Sequence, residues 1–205
     1  MKLVYGVGIN DANYVVQIYR TVDKKLVCVW KCPYYTKWKS ILERCYTNKK
    51  PSYKDFTVCD EWLIFSNFKS WMEQQDWEGK ALDKDLLIYR NKIYSPETCV
   101  FLTGEMNKFL IQNKSMRADY PMGVHKLTDK PRKKPFMAMI SISDKRTLLG
   151  YFDSPQDAHK AWQKAKLERA TYFMLKAEGL AQQGFKRVID KLKYDLDNGL
   201  ITEDF

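Results

Sequence analysis

Between residues 135 and 170 the hydrophobic period of the chain changes once, and the change is punctuated by a strong helix start. Phe136, Ala138, Ile140 and Ile142 alternate with Met137, Met139, Ser141 and Ser143, the period-two pattern of a strand with one covered face. Ser154, Pro155 and Asp157 then stand as N-cap, N1 and N3 of a helix. Ala158, Ala161, Trp162 and Ala165 give that helix a small-residue face able to lie close against a sheet. Strands are predicted over 123–127, 135–143 and 146–152. Three strands, one helix covering one side and an open second side follow from this pattern.

Charge is concentrated in the same region. The chain carries 35 Lys+Arg against 25 Asp+Glu, a formal +10. Residues 114–170 hold thirteen of the cations and six of the acids, a net of +7. Lys130, Arg132, Lys133 and Lys134 form one basic turn, and Lys145–Arg146 form another. A basic-rimmed open sheet can enter the major groove of DNA and read base edges. On charge alone, a sheet–helix unit with a solvated basic rim fits equally well.

Upstream, residues 14–30 read as a β-hairpin rich in β-branched and aromatic residues around Asp23–Lys24–Lys25. After Pro33 the period becomes helical, with Trp38, Ile41, Leu42 and Cys45 on one face. A second helix is predicted over about 60–75, with Ile64, Phe68, Trp71 and Met72 on its stripe. A strand over 81–88, a turn near Arg90–Asn91, a short return and a helix over 104–112 follow. The predicted organisation is an N-terminal module at 1–113, a linker at 114–121, a sheet–helix domain at 122–176, and a terminal helix with an acidic tail at 177–205. The class is α+β.

Other features limit the chemistry. No apolar run reaches membrane-spanning length, and the N-terminus lacks an apolar export segment, so no membrane partner and a cytoplasmic location are expected. The five cysteines (Cys28, Cys32, Cys45, Cys59 and Cys99) are an odd number without paired CxxC knuckles, which favours reduced, buried thiols over zinc. Tyr5–Gly6–Val7–Gly8–Ile9 has two glycines but no following GK[ST], and is no phosphate loop.

Gly123–Val124–His125, Phe136 to Ile140, Leu149–Gly150–Tyr151–Phe152–Asp153–Ser154, Asp157–Ala158 and Ala161–Trp162 together resemble the AP2 DNA-binding domain, in the version attached to phage HNH homing endonucleases. The resemblance covers about residues 122–170. It implies a sheet docked in the major groove, with contacts from His125 and Leu127, from Met139 and Ser141, and from Arg146 and Leu148. Leu127, Met139 and Leu148 replace polar or aromatic readers of the plant members. Lys114, Arg117, Lys126, Lys130, Arg132, Lys133, Lys134 and Lys145 are expected to meet phosphates. His159, on the helix, is expected to be structural.

Residues 33–113 resemble the N-terminal half of phage proteins of the HNH homing-endonuclease type. The resemblance rests on Trp38 with Arg44–Cys45–Tyr46, on Val58–Cys59–Asp60–Glu61–Trp62, on Phe65–Ser66–Asn67–Phe68, on Leu82–Asp83–Lys84–Asp85, and on Tyr94–Ser95–Pro96–Glu97–Thr98–Cys99. It implies a degenerate ββα-metal module. An active site of that type needs a histidine base and a metal held against the scissile phosphate. Lys84 stands where the histidine would be, Thr98 where a loop asparagine would be, and Glu105 and Asn107 near the missing second histidine. Asp83, Asp85 and Glu105 are the remaining candidates for a magnesium ion.

A sequence-specific binder of double-stranded DNA, acting by occupancy as a transcriptional repressor in the cytoplasm of a bacterial host, is therefore the expected function, with no cofactor. The alternative is a divergent metal-dependent endonuclease cutting near its site. A third is an interaction protein using the aromatic-rich N-terminal half. The stripe Phe185, Val188, Ile189, Leu192 and Leu196 serves either the packing of its own domain or a homodimer contact. The acidic end, with Asp195, Asp197, Glu203 and Asp204, is expected to point away from DNA.

Overall fold

The computed structural model describes residues 3–47, 49, 55–111, 120–142 and 145–205. The chain is of the α+β class and divides into two compact units, Met1–Phe101 and Leu102–Phe205.

In the first unit, β1 (Gln17–Val22) pairs antiparallel with β2 (Lys25–Lys31). The connecting turn is Asp23–Lys24, both at positive φ (48° and 61°). Two such residues give the tight turn whose twist matches that of the flanking strands. Pro33 then opens α1 (Pro33–Tyr46), which buries Tyr35, Trp38, Ile41, Leu42 and Cys45. These pack with Trp62, from a 3-10 turn at Asp60–Leu63, and with Phe65, Phe68 and Met72 of α2 (Phe65–Glu73). Trp38 Nε1 donates to the Trp62 carbonyl at 2.6 Å, so the ring's one polar atom is satisfied inside the core.

The helix predicted over 60–75 is divided at Ile64, which is extended (φ −94°, ψ 124°). The N-terminal segment causes the break. Ile9 N donates to Leu63 O at 2.8 Å and Phe65 N donates to Ile9 O at 3.0 Å, replacing the helical bonds of that step.

Short strands follow: β3 (Thr57–Val58), β4 (Ala81–Asp83), β5 (Ile93–Tyr94) and β6 (Val100–Leu102). β3 pairs in parallel with β5, and β4 pairs with β6. The strand predicted over 81–88 ends at Asp83. Asp83 Oδ1 accepts from the amides of Asp85 (2.9 Å) and Leu86 (2.8 Å), and this side-chain cap turns the backbone out of the ladder. All five cysteines are free, with Cys32, Cys45 and Cys99 buried. Burial pushes the Cys45 thiol up to about 11 and Cys99 up to about 12, so neither is a ready nucleophile.

The second unit begins with α3 (Gly104–Leu110), capped by Thr103 through its hydroxyl oxygen to Met106 N. β7 (Val124–Lys126), β8 (Phe136–Ile142) and β9 (Lys145–Phe152) form an antiparallel sheet in that order. α4 (Pro155–Lys176) lies across all three strands, and α5 (Gly179–Asp197) packs back along α4. The predicted start of α4 is met in detail. Ser154 Oγ accepts from Asp157 N at 3.1 Å and donates to Asp157 Oδ2 at 2.6 Å. Phe185, Val188, Ile189 and Leu192 are buried within the unit, and Leu196 is half-buried.

After α5 the chain folds back as a strap. Thr202 is fully buried; its amide donates to His159 Nε2 at 2.9 Å, and its hydroxyl donates to Asp195 Oδ2 at 2.8 Å. His159 Nδ1 therefore carries the ring proton and donates to Met122 O at 2.9 Å. His159 is structural, as expected. Asp195 is 1% exposed and held by Lys191 Nζ at 2.6 and 2.7 Å.

Lys166 is the most unusual cation of the unit. Its ammonium donates to Phe109 O at 2.6 Å and lies 3.7 Å from the Phe109 ring centroid and 5.0 Å from that of Phe205. Burial lowers its pKa from 10.5 to about 7. Between these values the unfolded chain binds the proton and the folded chain does not, so raising the pH through the window favours the fold. We expect stability of the second unit to rise by up to a few kcal/mol between about pH 7 and pH 10. Lys166→Met should flatten that rise, as read by urea unfolding at several pH values.

Candidate nucleic-acid interface

The sheet of the second unit presents two different faces. Val124, Ala138 and Gly150 are in register, as are Lys126, Phe136 and Phe152. These rows face α4, where Val124, Ala138 and Ala158 form the core with Phe136, Leu149 and Phe152 against it. The opposite rows are His125–Met137–Tyr151, Met139–Leu148 and Ser141–Arg146. Among the described residues nothing in the unit covers His125, Ser141, Arg146, Leu148 or Tyr151, all of which are exposed.

Two residues hold this sheet close to the helix. Gly123 has φ +75°, and a Cβ there would stand 2.0 Å from Trp162 Cδ1. Its carbonyl accepts from Met139 N at 2.8 Å, so the glycine ties the edge strand to the central one. Trp162 in turn stacks on His159, with centroids 5.3 Å apart and planes at 17°.

The register of β9 slips between Ala138 and Met139: Ala138 faces Gly150, but Met139 faces Leu148. Leu149 is the extra residue, a β-bulge. Its effect is a change of parity. Simple alternation from Arg146 and Leu148 would put Gly150 on the open face and Tyr151 inside. The bulge brings Tyr151 outward, opposite Met137. Tyr151 was not among the expected readers, and a count along the sequence could not include it.

His125, Met139, Ser141, Arg146 and Leu148 thus lie on the open face, with Leu127 continuing the row of His125 past the end of β7. Lys126 does not; it shares the helix side with Phe136, because it immediately follows His125 on a pleated strand. Lys145 also falls on that side, in register with Ile142, at the hairpin end. Lys130, Lys133 and Lys134 are exposed on the β7–β8 loop. Arg132 is spoken for: its guanidinium clamps Asp129 through Nη2 at 2.8 Å and Nε at 3.4 Å. The contact draws the Asp129 carboxyl below its usual range and braces the loop. Lys114, Arg117 and Ser143 lie outside the described residues.

The implied cleavage residues are otherwise engaged. Lys84, 4% exposed, donates to Asp85 Oδ1 at 2.6 Å and to Asn91 O at 2.5 Å, and its ammonium sits 4.0 Å from the Phe56 ring centroid. It pins the 84–91 loop. Asp83 is a backbone cap whose burial raises its pKa. Glu105 pairs with Arg169 of α4. Thr98 donates to Ile93 O at 2.9 Å, closing its own turn. Among the described residues no three His, Cys, Asp or Glu side chains come together as a group able to hold a metal. Among the described residues no helix is long and apolar enough to cross a membrane.

Comparison with protein-family models, with curated proteins and with solved structures returns no match to this chain.

Proposed function

We propose that the protein binds double-stranded DNA in a sequence-specific manner and acts by occupying its site, as a repressor does. The observation that carries this is the uncovered face of β7–β8–β9. It combines a cation (Arg146), hydrogen-bonding groups (His125, Ser141, Tyr151) and apolar contacts (Met139, Leu148) on a rigid, helix-backed surface. Such a mixture is what discrimination among base edges and thymine methyl groups requires. The exposed lysines at 130, 133 and 134 supply phosphate affinity without reading sequence. Occupancy is favoured over cleavage because Asp83, Lys84 and Glu105 already have structural partners.

The test is enrichment of duplexes from a random pool by the full chain. A defined consensus is expected; a pool that stays random overturns the proposal. Metal-dependent nicking of the enriched duplex, lost in Asp83→Ala, would instead establish an endonuclease. Arg146→Ala is expected to weaken binding to the consensus by about 1–3 kcal/mol and to relax preference at one base position. Parallel binding titrations on the consensus and its single-base variants measure both.

A further inference from the structure

The β1–β2 ribbon of the first unit is exposed on both sides. In its register Ile18 faces Trp30, Arg20 faces Val27 and Val22 faces Lys25 on one side. Tyr19 faces Cys28 and Thr21 faces Leu26 on the other. Leu26 is 71% exposed, and Ile18, Tyr19, Val22 and Trp30 are each more than 40% exposed. A sheet that only covered a core would keep one face dry. This one keeps neither, and nothing in its own unit needs so many large apolar residues in water.

Charge and shape narrow the occupant. Residues 17–31 carry Arg20, Lys24, Lys25 and Lys31 against Asp23 alone, a net of +3. The cations are spread over both faces and the tip rather than gathered on one rim. A protein surface would cover one face, while a groove encloses two. A second copy of the chain would bring two like-charged ribbons together. The two-residue turn keeps the tip narrow, and strands of this length extend about 20 Å, enough to cross a major groove about 12 Å wide.

We infer that the β1–β2 ribbon is a second DNA-contacting element, entering a groove tip-first. Arg20, Lys24 and Lys25 meet phosphates on the walls, and Val22 and Leu26 press on bases or sugars. This rests on the proposed DNA binding, and adds contacts independent of the sheet in the second unit.

The experiment uses the full chain and a duplex it has enriched from a random pool. Lys24→Gln with Lys25→Gln should lower the slope of log affinity against log salt by about 1.8, or about 0.9 per phosphate contact. Val22→Ser with Leu26→Ser should weaken binding at least tenfold. Either pair should erase one patch of hydroxyl-radical protection and leave the rest. Both pairs lie on an exposed tip, and unchanged circular dichroism and unfolding midpoints certify the fold. Unchanged slope, affinity and protection in folded variants would overturn the ribbon's role while leaving DNA binding by the sheet intact. Failure of the wild-type chain to bind any duplex would remove the reading beneath it. A wild-type dimer that Val22→Ser with Leu26→Ser converts to monomer, with DNA protection unaltered, would make the ribbon a self-association surface instead.

Discussion

Gly123→Ala is expected to destabilise the second unit by about 2–5 kcal/mol, the sum of left-handed backbone strain and overpacking. The methyl group would stand 2.0, 2.3 and 2.8 Å from three atoms of Trp162, and neither side can retreat easily. The Gly123 carbonyl holds Met139 N, Val124 is locked in register with Ala138, and the indole is stacked on His159. The loss is a large part of the stability of an ordinary domain. Gly179→Ala is the matched control. Gly179 also has positive φ (+53°), but nothing lies within 4 Å of its added Cβ, so backbone strain of about 1 kcal/mol is all it should show. Urea unfolding followed by circular dichroism gives both values. Equal effects at the two sites would mean that the close approach of Trp162 contributes nothing.

The second large effect concerns affinity. Lys130→Ala, Lys133→Ala and Lys134→Ala together are expected to lower the salt slope of binding by about 2.7, three contacts at about 0.9 each. At moderate salt that corresponds to a loss on the order of a hundredfold, uniform across sequences. Arg132 is deliberately left out. It clamps Asp129, and its removal would alter the loop as well as the charge. Filter binding from low to high salt distinguishes this uniform loss from the position-specific loss expected at Arg146. An unchanged slope would place the DNA elsewhere on the protein.

Where the sequence was most legible, local chemistry and burial agreed. Ser154, Pro155 and Asp157 mark the start of α4, and Phe136, Ala138 and Ile140 face it. The hairpin, α1 and the apolar stripe of α5 were equally clear, because each depends on a period within one element. The failures arose where distant segments intervene. Ile64 breaks a helix because Ile9 bonds there. Strand β4 stops at Asp83 because one carboxylate outcompetes the ladder for two amides. In the candidate interface, Met139, Ser141, Arg146 and Leu148 lie on the open face, while Lys126 and Lys145 fall on the helix side and Tyr151 stands outward where plain alternation would put Gly150.

Lys84 is buried against Phe56 and paired with Asp85. Its bonds to Asp85 Oδ1 and Asn91 O hold the 84–91 loop.

The bulge at Leu149 has a consequence for how such a surface can diversify. Substitution changes one letter of the exposed face at a time. Loss of the single extra residue would restore plain alternation beyond Leu148 and exchange every side chain between the two sides of the strand from there on. The tip-proximal part of the face, with Ser141, Arg146 and Leu148, would keep its letters. The far part, now carrying Tyr151, would be rewritten at a stroke. The face is thus composed of two blocks joined at a movable frame, and chain length, as much as residue identity, is a variable in what it presents.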